Sequence, residues 1–498
     1  MLAMAALAVR RRLTMKDAFL LKDVFCNPLS LPDYPPGICA PSRFGCGESV
    51  GFMGPVADYR ELSDPELLYD EGIWYMFPSS HQAYVSKDLA HWTYQKVAIE
   101  NDLGYAPTIA KMNGRYVLTS SVPFRGTPHV YVAQAPLGPY KDLGPVLEVD
   151  GSVISPEYLD PSLFFDDGHL YLYWGCSPAG GGIFGVELDP YLPNHAVCAK
   201  QKLIEYDASN VFERFGEHNE QGDMSWVEGV AMFRHNGEYY LQYACDGTVF
   251  RHYAIGVYRG RSPLGPFICQ RTPVCLSPHG MVCGCGHGGW VQGRDGEVWQ
   301  FYTCTCRRTH QFERRIGMDK VHFDENGDAH VHITCTPQSV SQGDLGLVPV
   351  SVNKHVAASS FEGTNYPAFA CDECTHTWWA PDQADALPWL EVNCRAEYDF
   401  QAIQICWAEL NLDYQVGICP EPVRFMVTFF DVKGNLLEEM LSFVDNHTDN
   451  LIEFFTFKPV YAQTARVTIL PSKNGIRHGI TELTVFAEPI PPSSTQNE

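Results

Sequence analysis

The chain has 498 residues, 45% of them apolar and 19% charged, so it must bury a large core, and wholesale disorder is excluded. Its length exceeds one ordinary domain and fits two or three. Acidic residues outnumber basic ones 59 to 35, for a formal charge of -24, and a surface that negative repels phosphate backbones and anionic lipid, which argues against nucleic-acid and membrane partners.

The first residues, Met1-Leu-Ala-Met-Ala-Ala-Leu-Ala-Val9, are apolar but short, and Arg10 to Arg12 follow them, the reverse polarity of a secretory signal. Met15 is an alternative start. Residues 1–45 are read as an N-terminal extension. No run approaches the ~20 apolar residues of a membrane span, and the expected location is the cytoplasm. Eighteen cysteines are diluted through a long chain, several inside strands (Cys245, Cys304, Cys306), and read as reduced, small hydrophobes. Cys371-x-x-Cys374 has zinc-like spacing without a matching second pair. Aromatics at 13%, with 42 Gly and 35 Pro, suit short strands joined by tight turns: an all-β chain.

From residue 46 to about 345 one pattern recurs: a residue pair ending in Gly, then an aromatic strand. The copies are Asp70-Glu-Gly72-Ile-Trp-Tyr, Asn113-Gly114-Arg-Tyr-Val, Asp166-Asp-Gly168-His-Leu-Tyr, Asn236-Gly237-Glu-Tyr-Tyr and Asp295-Gly296-Glu-Val-Trp. Each reads as a hairpin whose turn takes positive φ. Tyr131-Val-Ala-Gln-Ala-Pro-Leu-Gly-Pro-Tyr140 echoes Tyr258-Arg-Gly-Arg-Ser-Pro-Leu-Gly-Pro-Phe267, an outer strand with a Pro-Gly corner. Five unequal copies predict a five-bladed β-propeller over 46–345; an irregular sandwich with fortuitous turns is the bland alternative.

Three acids stand just before the apolar strands that open blades: Asp64 in Ser-Asp64-Pro65, Asp160 in Leu-Asp160-Pro161 and Glu228 in Val-Glu228-Gly229. The innermost strand of each blade lines the central channel, so acids at these starts would converge at one mouth. Like charges in a partly dry hollow push carboxyl pKa values apart, giving one proton donor and one ionised base. Taken singly, each acid is equally a turn starter.

Past residue 345 the pattern stops. Residues 346–360 read as a connector, and alternating strands such as Val423-Arg-Phe-Met-Val-Thr-Phe-Phe430 predict a jelly-roll β-sandwich over 355–488. Residues 489–498 form a Pro- and Ser-rich tail.

The ordered set of Ser-Asp64-Pro, Leu-Asp160-Pro-Ser-Leu-Phe-Phe-Asp-Asp-Gly, Trp-Val-Glu228-Gly-Val, Gly286-His287-Gly288 and Arg314 resembles glycoside hydrolase family 43, the five-bladed propeller arabinofuranosidases and xylosidases. The resemblance implies an inverting exo-hydrolase acting on plant-polysaccharide-derived oligosaccharides, with Asp64 as general base, Glu228 as general acid and Asp160 raising the acid's pKa. It implies that Arg314 contacts substrate, with Arg315 as the alternative register. It also implies that His287 lies on the propeller axis and organises a hydrated structural calcium ion; no organic cofactor is expected. Trp74, Phe77, Trp174 and Trp226 are candidate sugar platforms, Trp74 and Trp226 foremost, though each is also an ordinary core aromatic. Two departures stand out: Thr108 follows Ala106-Pro107 where many members carry Asp, and Val230 follows Glu228-Gly229 where Pro is common.

Cys374-Thr-His-Thr-Trp-Trp-Ala-Pro through Trp389-Leu-Glu-Val392 resembles a discoidin-type, galactose-binding-like module. Competing readings are a carbohydrate-binding propeller without catalysis, a galactofuranoside hydrolase, and a fructan-cleaving enzyme. That last group carries Asn-Asp-Pro, Arg-Asp-Pro and Glu-Cys, which this chain lacks. The expected partner is an oligosaccharide, and self-association into a homo-oligomer is left open.

Overall fold

A computed structural model describes residues 12–13, 22–34, 58–79, 82–100, 103–121, 127–154, 158–177, 181–306 and 308–490. Met1, Met15 and residues 491–498 of the expected tail lie outside them. The chain divides into two compact units: Glu61–Thr305 with Phe312–Thr334, and Met1–Arg60 with Cys306–Gln311 and Cys335–Glu498.

The first unit is five four-stranded antiparallel sheets, each built from consecutive strands. The innermost strands are Glu66–Asp70, Tyr105–Met112, Ser162–Asp166, Glu228–His235 and Trp290–Gln292. The first packs on the second, the second on the third, the third on the fourth, and the fifth on the first, which closes the ring. Closure removes exposed sheet edges at the axis.

Turn chemistry sets the hairpins. Glu71-Gly72, Asn113-Gly114, Asp167-Gly168 and Asn236-Gly237 each place two successive residues at positive φ, the signature of a type I′ turn that matches the twist of its strands. The fifth hairpin differs. Gly296 has positive φ and donates to Gly293 O, while Gly293 N donates to Glu297 O, so the turn is one residue longer. Between blades the cores are aliphatic and aromatic; Trp174, fully buried, stacks between Tyr158 and Phe184 among Val117, Leu163 and Val186.

The second unit is a β-sandwich built on Trp389–Glu409 and Ile452–Ile469, antiparallel to one another with register shifts near Asn393 and Phe400, where strands this long bend. Phe425, Phe443 and Phe455 form its aromatic core. The boundaries differ from those expected. Arg12–Leu13 pairs in parallel with Met440 and Leu441, and Val24–Phe25 pairs with Gln338–Ser339, so these parts of the N-terminal stretch are sheet members, not a loose extension. Val348–Pro349 pairs with the last strand and His355–Ala358 with Trp389–Glu409, so much of the expected connector is sheet. Cys306–Gln311 leaves the fifth blade for this unit, where His310 stacks on Tyr59 at 4.2 Å. A local sequence pattern cannot show such pairings, because their partners lie from about thirty to more than four hundred residues away.

Candidate active site

The hairpin registers align the blades residue by residue. Glu66 pairs with Phe77, Thr108 with Thr119, Ser162 with Tyr173 and Ala231 with Gln242, each four positions before its turn. Two residues before these lie Asp64, Ala106, Asp160 and Gly229, and all four take positive φ. In the fifth blade Gly289 packs against Glu66 and Ala231, which makes His287, also at positive φ, the fifth member of the ring. One left-handed residue per blade thus rims the channel. Holding four non-glycine residues there is a strain the surrounding bonds must offset.

Hydroxyls supply those bonds. Asp64 N donates to Thr303 Oγ1 (2.8 Å), Ala106 N to Ser79 Oγ (3.0 Å) and Asp160 N to Ser121 Oγ (2.7 Å), each time from one blade to the second strand, or its end, of the preceding blade. Ser79 Oγ donates onward to Asp64 Oδ2 (2.6 Å) and Ser121 Oγ to Asp160 Oδ1 (3.2 Å). The same hydroxyl therefore fixes the backbone turn and orients an acid.

Asp64 and Asp160 occupy equivalent blade positions, as expected. Glu228 does not: it stands one residue earlier, in the position of Tyr105, and the register slips between Glu228 and Ala231 as it does between Tyr105 and Thr108. This bulge turns the glutamate side chain to the rim while Gly229 takes the left-handed place. The glycine is required there, because a Cβ at 229 would come within 2.7 Å of the His287 ring.

His287 Nδ1 lies 3.3 Å from Asp64 Oδ1 and 3.5 Å from Asp160 Oδ2, so the imidazole ties the two aspartates together. Arg314 contacts Asp64 through Nη1 (3.2 Å) and Nη2 (3.3 Å) and Thr248 Oγ1 through Nη1 (3.0 Å). Arg315 points elsewhere, its Nη1 donating to Arg314 O, so Arg314 is the residue in register with the acids.

The electrostatics separate the acids. Burial alone would push Asp64 up, but Arg314, then His287 and the Ser79 and Ser63 hydroxyls, outweigh it and hold the carboxyl below its usual value. Burial pushes Asp160 up; His287 opposes and the Asp64 charge adds. Glu228 rises well above the usual glutamate range through burial, then through the negative charges of Asp160 and Asp64, with Arg314 opposing. The three acids and the arginine thus share one field.

The aromatic candidates part company. Trp74 pairs opposite Tyr69, five residues past Asp64 along the strand and roughly 16 Å from the rim at the rise of a β-strand. It is buried against Tyr69 and beside Gly293, at the hairpin end of the blades, so it does not line the acid cluster. Phe77 and Trp174 are wholly buried core residues. Trp226 remains: partly exposed, two residues before Glu228, its N donating to Asp246 O (3.0 Å).

Besides the hydroxyls of Ser79, Ser121 and Thr303, four residues of the site escaped the sequence reading. Glu61 receives Arg314 Nε (2.9 Å) and Tyr105 Oη (2.6 Å). Thr248 meets Arg314, and the buried Tyr253 feels the charges of Glu228 and Asp64. Glu61, three residues before Asp64, and Glu66, two after it, had a signal of proximity. One layer deeper, Glu66 accepts from Thr108 Oγ1 (3.0 Å) and burial pushes its carboxyl up to about 7. An acid therefore faces Thr108 from the neighbouring strand, where the resemblance leads one to look for Asp at 108 itself. Among the described residues no group of three or more His, Cys, Asp or Glu is placed to hold a metal ion.

The sequence pattern of Glycosyl hydrolases family 43 matches residues 54–328, more than half of the chain. A Xylosidase/arabinosidase of Butyrivibrio fibrisolvens is 28% identical over 267 residues, covering 48% of this chain and 48% of its own length. A Beta-D-galactofuranosidase of Aspergillus niger is 26% identical over 302 residues, covering 53% of this chain and 81% of its own. The chain therefore spans about half the length of the first of these relatives. Among solved structures, a protein described as a glycoside hydrolase is similar in fold, with TM-score 0.50 and 17% identity over 85% of this chain and 97% of its own.

Proposed function

The chain belongs to glycosyl hydrolases family 43, and from that premise we propose that it is an inverting exo-glycoside hydrolase. Its substrates on this reading are oligosaccharides from plant polysaccharide, from which it removes arabinofuranosyl or xylosyl residues, in keeping with the name of the Butyrivibrio relative. The observation that carries the reading is the opposite displacement of two acids in one field: Asp64 held below its usual value, Glu228 raised well above it.

At neutral pH Asp64 is then ionised and Glu228 protonated, the division of labour that glycosidic hydrolysis requires. Asp64 takes a proton from water as the water oxygen bonds to the anomeric carbon. Glu228 gives its proton to the leaving oxygen as the glycosidic bond breaks, and the anomeric configuration inverts. Asp160, negative beside Glu228, keeps the acid protonated. Arg314 and His287 offset the acidic cluster, and Trp226 offers an aromatic face at its edge.

Calcium takes six to eight oxygen ligands. His287 would be the residue to hold, through water, the structural calcium that the resemblance implies, because among the described residues no group of three or more His, Cys, Asp or Glu is placed to ligate a metal directly. Such an ion would supply positive charge that offsets part of the acidic cluster. The discoidin-like reading of residues 355–488 rests on the sequence resemblance and is offered as a structural brace. The dilution of eighteen cysteines through a long chain is in keeping with action in a reducing compartment such as the cytoplasm.

A second reading, galactofuranoside hydrolysis, is favoured by the Aspergillus relative, whose length is covered best of the two. The deciding experiment is a set of aryl arabinofuranoside, xyloside and galactofuranoside substrates at neutral pH, with proton NMR of the first-released anomer. Turnover of one with inversion is expected. Retention, or folded protein inert on all three, would overturn the proposal.

A further inference from the structure

In the fourth blade a loop joins Glu238–Cys245 to Ala254–Gly260 and carries two side chains to the acid cluster. Thr248 meets Arg314, as described above, and Tyr253 ends the loop. Tyr253 is 1% exposed, and its ring lies against the backbone of Gly286, where a Cβ would come within 2.1 Å of it. Gly286 precedes His287, which bridges Asp64 and Asp160 and stands over Gly229 beside Glu228. The phenol is thereby held in the field of all three acids, that of Glu228 foremost. Yet its hydroxyl makes no hydrogen bond among the described residues. Unlike the unpaired indole nitrogen of Trp174, the hydroxyl is not fully enclosed by protein.

Ionised carboxylates only accept hydrogen bonds, so a sugar held among them gives them its hydroxyl protons, and its own oxygens need donors in return. A phenol donates. We propose that Tyr253 is a substrate-binding residue whose hydroxyl donates to a ring hydroxyl oxygen of the sugar being cleaved. The inference rests on the glycoside hydrolysis proposed above. The unbound protein breaks no internal bond to make this one, and in so dry a place the bond is strong. A sugar lacking that hydroxyl leaves the phenol unpaired, so the contact selects for it.

The test uses the full chain, whichever aryl glycoside the unmodified protein cleaves, and the monodeoxy analogues of that glycoside, each lacking one ring hydroxyl. Tyr253→Phe keeps the ring and removes only the hydroxyl. It is expected to lower kcat/KM by about 20-fold on the complete sugar. Its melting temperature should stay within about 2 °C of the unmodified protein, because no internal bond is lost. One analogue should cost the unmodified protein about 20-fold and cost the Phe variant less than about threefold, since the two changes remove the same bond.

Full activity in the Phe variant, or equal losses in both proteins on every analogue, would overturn the inference. A variant that does not fold, or melts more than about 5 °C lower, would make the hydroxyl structural and overturn it as well. So would an alkaline limb of kcat/KM that rises by about one pH unit in the variant, which would place the phenol on Glu228 and not on the sugar. An unmodified protein inert on every substrate would instead overturn the function itself.

Discussion

His287 stands directly over Gly229, so close that a Cβ at 229 would lie 2.7 Å from its ring carbon. The same imidazole bridges Asp64 and Asp160. One glycine, adjacent to the candidate acid, therefore sets the position of the residue that joins the other two.

Gly229→Ala follows from that contact. The new methyl meets the imidazole, and position 229 has φ of +59. We expect a loss of about 2–4 kcal/mol in stability from strain and overpacking together, with kcat down at least tenfold. Thermal unfolding and kinetics on the same preparation check this. Unaltered kcat would show that His287 can shift without consequence.

Glu228→Gln should lower kcat on substrates with poor leaving groups by about 10²–10⁴-fold while sugar binding, read by calorimetry, persists. Binding lost in parallel with turnover would mean that the carboxyl holds substrate and does not serve as the acid.

The pH profile should be a broad bell. Asp64 lies below its usual value and must be ionised, which sets the acid limb; Glu228 lies well above its own and must stay protonated, which sets the alkaline limb. The Asp160 charge contributes to the rise of Glu228. Asp160→Asn removes that charge, so the alkaline limb of kcat/KM should move to lower pH. A limb that stays in place, or moves up, would remove Asp160 from the role given to it.

Glu66 predicts a pH-dependent stability. Its carboxyl titrates at about 7 in the folded protein against an ordinary 4.5, because burial disfavours the charge. Below 4.5 both states hold the proton and nothing is lost; as pH rises through about 7 the native state is progressively disfavoured. Glu66→Gln should therefore raise the melting temperature at pH 8, by an effect on the order of 2–3 kcal/mol, and leave it little changed near pH 4.5. Melting curves of both proteins at the two values decide it.

The two tryptophans first favoured as sugar platforms should behave oppositely. Trp74→Ala empties a packed space between the first and fifth blades and should cost about 3–5 kcal/mol of stability with KM unchanged in the protein that folds. Trp226→Ala should raise KM about tenfold with little effect on melting.

Much was legible in the amino-acid order because it is locally encoded. Residue pairs ending in Gly and followed by aromatic strands gave the number of blades, since in four of the five hairpins a type I′ turn needs only its own two residues to take positive φ. Asp64, Asp160 and Glu228 were legible for the same reason, each beside its own Pro or Gly turn. The tertiary structure alone decided the rest. The bulge that sets Glu228 one place out of line depends on pairing with Ala244, and the Glu61–Arg314 clamp joins residues far apart in the chain. The fate of each tryptophan depends on which end of a blade faces the acids. Turns obey nearest neighbours, whereas convergence at an axis obeys register, and register is fixed only when the whole ring closes.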